Sequence, residues 1–220
     1  MNVAVISAHP DDELLGVGGT VAWHVDRGDR VRMAIMCEGI SVRYDPKRHA
    51  EVQAQARAAA EILGVDDLVQ KELPDQRLDT LSLTDIVKEI DHVLDGFEPE
   101  VIYTHFGGDI NRDHRILTEA VLVATRPYAA PSVREVLMFE TPSSTEWGST
   151  TLTPAFHPNV FVDITETLDR KVEAFLKYTK EVRPFPHPRS PEALRDRARY
   201  WGSLVNRRAA EPFAVVRSLR

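Results

Sequence analysis

Among 220 residues there is one cysteine, Cys37, so no disulfide can form within the chain, a usage that fits a reducing cytoplasm. No window approaches the eighteen or more uncharged apolar residues of a membrane span, and the first residues lack the basic-then-apolar pattern of a secretory signal. Positive charge is in deficit: 27 Lys and Arg stand against 34 Asp and Glu, a formal charge of −7 that argues against nucleic acid as a partner. Internal repeats, low-complexity tracts and linkers are also missing. With 43% hydrophobic residues the chain can bury one sizeable core, and residues 1–220 are expected to form a single domain.

What is there concentrates near the start, in Asn2-Val-Ala-Val-Ile-Ser-Ala-His-Pro-Asp-Asp-Glu13. The run Val3 to Ile6 is short, β-branched and continuously apolar, which suits a strand buried on both faces of a parallel sheet. Pro10 stops the strand and suits the first turn of a helix, predicted from about Asp11 to Val25, whose start favours acids. One acid would be explained by the helix dipole. Three in a row beside His9 make a concentrated negative site of the kind that a divalent cation neutralises, at the carboxyl end of a strand where α/β sheets bind their ligands. His9 and Asp12 can converge on one ion, and imidazole with carboxylate is a ligand set that Zn²⁺ accepts, with Fe²⁺ as the alternative. Asp11 can then take a proton from water at that ion, and a third ligand is expected at the end of a neighbouring strand. Gly16-Val-Gly-Gly19 is a weak nucleotide-binding signal, because its glycines fall inside the helix instead of in the turn before it.

Val31 to Cys37 predicts a second strand in which Cys37 reads as a buried, inert thiol. The loop Ile40 to Pro46 leaves the sheet on the side of His9, so Arg43 either contacts substrate or is solvated or paired with a carboxylate. The alanine-rich segment from about Lys47 to Leu63 is a helix ended by Gly64, with His49 on its surface. Asp67 to Leu73 predicts a third strand, and the polar loop after it places Asp75 and Arg77 on the functional edge. Leu83, Ile86, Val87, Ile90, Val93 and Leu94 recur at helical spacing, and His92 on that helix is assigned a structural role.

Glu100 to His105 predicts a fourth strand, opening into Phe106-Gly-Gly-Asp-Ile-Asn-Arg-Asp-His-Arg115. His114, near the start of the next helix, stands where Asp12 stands after the first strand and is the preferred third ligand over His105. Asp113 beside it can hold an imidazole or orient a neighbouring polar group. Val133 to Phe139 and Asn159 to Asp163 predict two further strands, and a helix starts near Thr165. In the loop between those strands Trp147 either packs against a sugar ring or fills a surface groove. A last helix runs from about Pro191 to Val205, with Arg195, Arg197 and Arg199 on a solvated or intersubunit face. The expected architecture is a single Rossmann-like α/β domain with a mainly parallel sheet flanked by helices.

Ala8-His-Pro-Asp-Asp-Glu13 together with Gly108-Asp-Ile-Asn-Arg-Asp-His114 resembles the PIG-L or LmbE-like deacetylases, zinc enzymes that remove N-acetyl groups from glucosamine-containing molecules. Glu140 to Trp147, Asn159 to Asp163 and Arg183-Pro-Phe-Pro-His-Pro-Arg-Ser190 extend the resemblance over nearly the whole chain. It implies His9, Asp12 and His114 as metal ligands and Asp11 as general base. Where many members have a histidine three residues before the last ligand, this chain has Asn111, which can donate to an oxyanion but cannot shuttle a proton. The acid role then falls to Asp11 acting twice or to His187, held between prolines, and Arg189 is a further candidate for substrate contact. The resemblance also implies an N-acylated amino sugar as substrate and a homo-oligomer, a trimer or hexamer. From the residues alone, a hydrolase of another amide, an ester or a phosphoester remains the alternative.

Overall fold

Val3, Ala4, Val5 and Ile6 are wholly buried because β1 (Asn2–Ser7) has a parallel neighbour on each side. The computed structural model describes residues 1–39 and 48–220. In chain order β1 is followed by α1 (Asp12–Asp26), β2 (Arg30–Cys37), α2 (His49–Leu63), β3 (Asp67–Leu73), α3 (Leu83–Leu94), β4 (Val101–His105) and α4 (Arg112–Ala124). Then come β5 (Glu135–Phe139), β6 (Val160–Asp163), α5 (Leu168–Phe175), α6 (Pro191–Leu204) and β7 (Ala210–Ser218). One sheet takes the order β3-β2-β1-β4-β5-β7-β6, in which β7 alone runs against its neighbours β5 and β6. The sheet is therefore mainly parallel, as expected, but β7 has no counterpart in the sequence reading.

From β1 the chain steps outwards to β2 and β3, then returns to β4 on the other side and steps outwards again. The crevice beyond the carboxyl ends of β1 and β4 is thus the point where the winding reverses, the place where such sheets bind ligands. Apolar side chains from the two faces of the sheet form two clusters, one against α1, α2, α5 and α6 and one against α3 and α4.

The glycines of α1 serve packing. A Cβ on Gly16 would stand 2.1 Å from the ring of Phe139, and one on Gly19 would stand 2.8 Å from Ile164. They let the helix approach the sheet, so the nucleotide-binding signal has no phosphate turn behind it. Gly16→Ala is expected to cost about 1–3 kcal/mol through overpacking, lowering the melting temperature by about 2–4 °C per kcal/mol, which thermal unfolding measures.

A buried ion pair also anchors α1 to β7. Lys171 Nζ donates to Glu211 Oε1 at 2.5 Å and to the carbonyl of Leu15 at 2.9 Å, while Glu211 accepts from the amides of Gly19 and Thr20. The pair holds the helix that carries the functional turn.

Candidate metal centre and its cavity

Pro10 ends β1, and the backbone turns at Asp11, which caps α1 with φ of 98°, a left-handed conformation that a non-glycine residue adopts only when its surroundings hold it there. The turn brings Asp12 Oδ2 back to accept from the amide of His9 at 2.9 Å. At the end of β4, Asn111 caps α4 through its side-chain oxygen, which accepts from the amide of Asp113 at 2.9 Å. His114 follows in the first turn. The two strand-to-helix turns face each other across the sheet edge.

His9 Nδ1 and His114 Nε2 are each 3.1 Å from Asp12 Oδ2, and the two nitrogens are 3.2 Å apart. The three form a near-equilateral triangle, and four donors at about 2.0–2.1 Å around a tetrahedral ion would stand about 3.3 Å from one another. The other nitrogen of each ring faces a carboxylate: His9 Nε2 is 3.1 Å from Asp113 Oδ2, and His114 Nδ1 is 3.3 Å from Asp109 Oδ1. A ring proton on each outer nitrogen would turn three lone pairs towards one point, an arrangement that a cation completes, although His114 Nδ1 makes no hydrogen bond among the described residues and His9 Nε2 also meets Gln76 Nε2 at 3.1 Å. The local potential agrees. Burial would lower the pKa of His9, yet hydrogen bonds with Asp113 and Asp12 overcome it and raise the value to about 10. Burial opposes ionisation of Asp12 too, but the charge of His114 beside it holds its carboxyl well below the usual range. The donor set and its spacing fit a divalent metal.

His105 lies beneath the triangle. Its Nε2 accepts from the amide of Ala8 at 2.9 Å, its ring stacks on that of His114 at 3.9 Å, and burial followed by the charge of His114 keeps it neutral. With one face on His114, Nε2 on the Ala8 amide and Nδ1 3.1 Å from Thr141 Oγ1, His105 is turned away from the triangle's centre and packs beneath the candidate ligands.

A cavity of about 380 Å³ opens above the triangle, with His9, Asp11, Asp12 and His114 in its wall. A family model described as PIG-L, GlcNAc-PI de-N-acetylase, matches residues 4–125, which carry both turns and more than half of the chain. The chain belongs to the PIG-L family. It is 29% identical over 170 residues to YaiS, an uncharacterized deacetylase of Escherichia coli (strain K12), covering 74% of this chain and 82% of that one. Among solved structures it resembles the conserved protein TT1542 of Thermus thermophilus, with a TM-score of 0.81 and 22% identity over 99% of this chain and 96% of that one. It also resembles an N,N'-diacetylchitobiose deacetylase of Pyrococcus horikoshii, with a TM-score of 0.77 and 20% identity over 98% of this chain and 84% of that one. At such identities these two likenesses carry the fold.

Within this PIG-L fold Asp11 is held from two sides. Its amide donates to Glu13 Oε2 at 3.1 Å, and Glu13 Oε1 in turn accepts from Tyr178 Oη at 2.7 Å. Its own Oδ2 accepts from Arg189 at 3.0 Å. Burial pushes the Asp11 carboxyl well above the usual carboxylate range, although Arg189 opposes this. A carboxylate so raised is a better base than a solvated one.

Of the residues expected around the site, Asn111, Asp75, Trp147, His187 and Arg189 all line the cavity. The oxygen of Asn111 is committed to its helix cap, and its amide NH₂ donates to Gln76 Oε1 at 3.4 Å with its second hydrogen left to donate. His187 Nδ1 accepts from the amide of Arg189 at 3.0 Å, and the ring meets the half-exposed Trp147 edge-on at 6.0 Å. Burial and then the charges of Arg189 and Arg183 lower its pKa. Arg189 is bound to Asp11, Glu181 and Ser143, a position beside the proposed base. Asp113 turns to His9 instead of its neighbour His114, and its other oxygen accepts from the amide of Leu78. Arg77 is exposed and is absent from the described cavity wall, while Arg43 lies outside the described residues. Arg197, expected on a solvated face, makes a two-pronged ion pair at 2.7 Å with the buried Glu140, which also accepts from Trp201.

The sequence reading missed Asp109, which is fully buried and accepts from Ser144, from Thr145 at 2.6 Å and from the amide of Asn111 at 2.7 Å while facing His114. Its only signal is its place in the second motif. Asp109→Asn is expected to weaken zinc binding by about 10–100-fold, as measured by competition with a chromophoric chelator.

Proposed function

We propose that the chain is a zinc-dependent N-deacetylase acting on the acetamido group of a small N-acetylated amino sugar. The observation that carries this reading is the triangle of His9, Asp12 and His114 at the floor of a polar cavity with a buried, proton-accepting carboxylate beside it. PIG-L membership and the names of its relatives support the acyl-transfer class, and Fe²⁺ is the second metal the donor set admits.

His9, Asp12 and His114 would hold the ion, which when bound supplies a Lewis acid for the acyl carbonyl and lowers the pKa of water. Asp11 takes the proton of the attacking water on its carboxylate. Asn111 donates its side-chain N–H to the oxygen that becomes negative as the carbonyl carbon turns tetrahedral. The proton then passes to the departing amine either from Asp11 or from His187, whose Nε2 is the nitrogen not engaged with the Arg189 amide. Trp147 and Asp75 in the cavity wall suit a pyranose, offering an apolar face and a hydroxyl acceptor.

The experiment is a screen for free amine released from a panel of N-acetylated sugars and from ester and phosphoester controls, with zinc and, anaerobically, with iron(II). Amine release from acetamido sugars that chelators abolish is the expected result. Turnover of esters or phosphoesters alone would reverse the assignment.

A further inference from the structure

His9 turns its two ring nitrogens to different surroundings. Nδ1 faces Asp12 and His114, whereas Nε2 lies 3.1 Å from Asp113 Oδ2, 3.1 Å from Gln76 Nε2 and 3.3 Å from Asp75 Oδ1, so an ion there would displace Gln76. Cys37, at the end of β2, joins this second group: one ligand atom each of His9, Cys37 and Asp113 lie within 4.8 Å of one another. The thiol is 2% exposed and makes no hydrogen bond among the described residues. A sulfur atom in that setting has no neutral partner to satisfy it, but it is the ligand that soft divalent ions prefer. Charge points the same way. Three carboxylates, those of Asp12, Asp75 and Asp113, surround one imidazole, and the two positive charges of a single ion leave one negative charge in excess. His9 and Asp75 both line the main cavity, so the group can be reached from solvent.

We propose that His9 Nε2, Asp113, Cys37 and Asp75 form a second, thiophilic cation site behind the first, filled by excess Zn²⁺ or by Cd²⁺, and that filling it stops turnover. The proposal rests on His9, Asp12 and His114 being the first site. On binding, the second ion replaces the proton of Nε2 and the proton of the thiol, both of which leave to solvent. His9 then bridges two cations as an imidazolate. Asp113 changes from the acceptor that orients His9 into a ligand, and Asp75 is drawn off the cavity wall. Both changes disturb groups on which the first site depends.

The test loads the purified protein with one equivalent of Zn²⁺ and titrates it with Cd²⁺. A second equivalent per chain is expected to bind with the zinc retained and with growth of the ultraviolet thiolate-to-cadmium charge-transfer band. That band can come only from Cys37, the single cysteine. Amine release should fall in step. Asp75→Asn should weaken the second equivalent by about tenfold, the scale of losing one supporting oxygen. Cys37→Ala should bind one equivalent only and resist inhibition by excess zinc at least about tenfold better. Absence of the band, release of zinc as the band grows, or unchanged inhibition of Cys37→Ala would each overturn the second site. Failure to hold even the first equivalent would overturn the reading of His9, Asp12 and His114 as well, and so is told apart from failure of the second site alone.

Discussion

Asp11→Asn is expected to lower kcat by about 10²–10⁴-fold, the usual worth of a positioned general base, with the bound metal close to the wild-type content. The substitution keeps the shape of the side chain and removes its ability to take a proton. It leaves the three candidate ligands, their carboxylate partners Asp109 and Asp113, and the amide that donates to Glu13 in place. KM should change less than kcat, because Asp11 is held by Arg189 at the cavity wall and its lost function belongs to the transition state. The raised pKa of Asp11 adds a second mark. Burial lifts the carboxyl above its ordinary range in the metal-free protein while a bound cation opposes that lift, so activity should rise as pH rises and Asp11 ionises, and this acid limb should be missing from Asp11→Asn. Metal analysis and steady-state kinetics on the same preparation check both points. Loss of metal along with activity in Asp11→Asn would contradict the base assignment.

Chelation has the next largest expected effect, and its pH dependence has a definite sign. In the metal-free protein the pKa of His9 is raised from 6.5 to about 10, so the folded state binds that proton more tightly than the unfolded state. The resulting stability is complete below 6.5 and is lost as pH rises towards about 10. In the metal-loaded protein the same nitrogen must be unprotonated, so the ion competes with the proton and is held more tightly over the same rise. The difference in melting temperature between zinc-loaded and chelated protein should therefore widen from about pH 6.5 upwards. An ion present at a hundred times its Kd stabilises by about 2.7 kcal/mol, or roughly 5–10 °C for a domain of this size. Scanning calorimetry at stepped pH measures the gap, and a gap that narrows with rising pH would contradict the assignment of His9.

The parts of the fold that sequence reveals are those where one physical cause dominates. Buried parallel strands such as Val3–Ile6 are continuously apolar, α2 is rich in alanine, and α3 repeats its apolar residues every three or four positions. Strand β7 escapes because Glu211 and Pro212 interrupt it, and both are there for other reasons. Glu211 faces inward to Lys171 and α1, and Pro212 pairs opposite Phe161 within the ladder. The candidate site divides in the same way. His9, Asp12 and His114 are legible because they stand at fixed offsets from strand ends, where direction is set by the backbone. Asp109, Glu13 and Tyr178 act through burial and partners far away in the chain, such as the 165 positions that separate Glu13 from Tyr178. Arg197 shows the converse. A charged helix face looks solvated in sequence until a buried carboxylate, here Glu140, is placed against it.

The position of β7 between β5 and β6 bears on how the protein is made. Strand β6 leaves the ribosome about fifty residues before the strand that will bind it, and β5 waits longer still, with one edge open. A nascent chain stalled before residue 210 therefore exposes an unpaired β6 and one open edge of β5, and it lacks the carboxylate that pins α1.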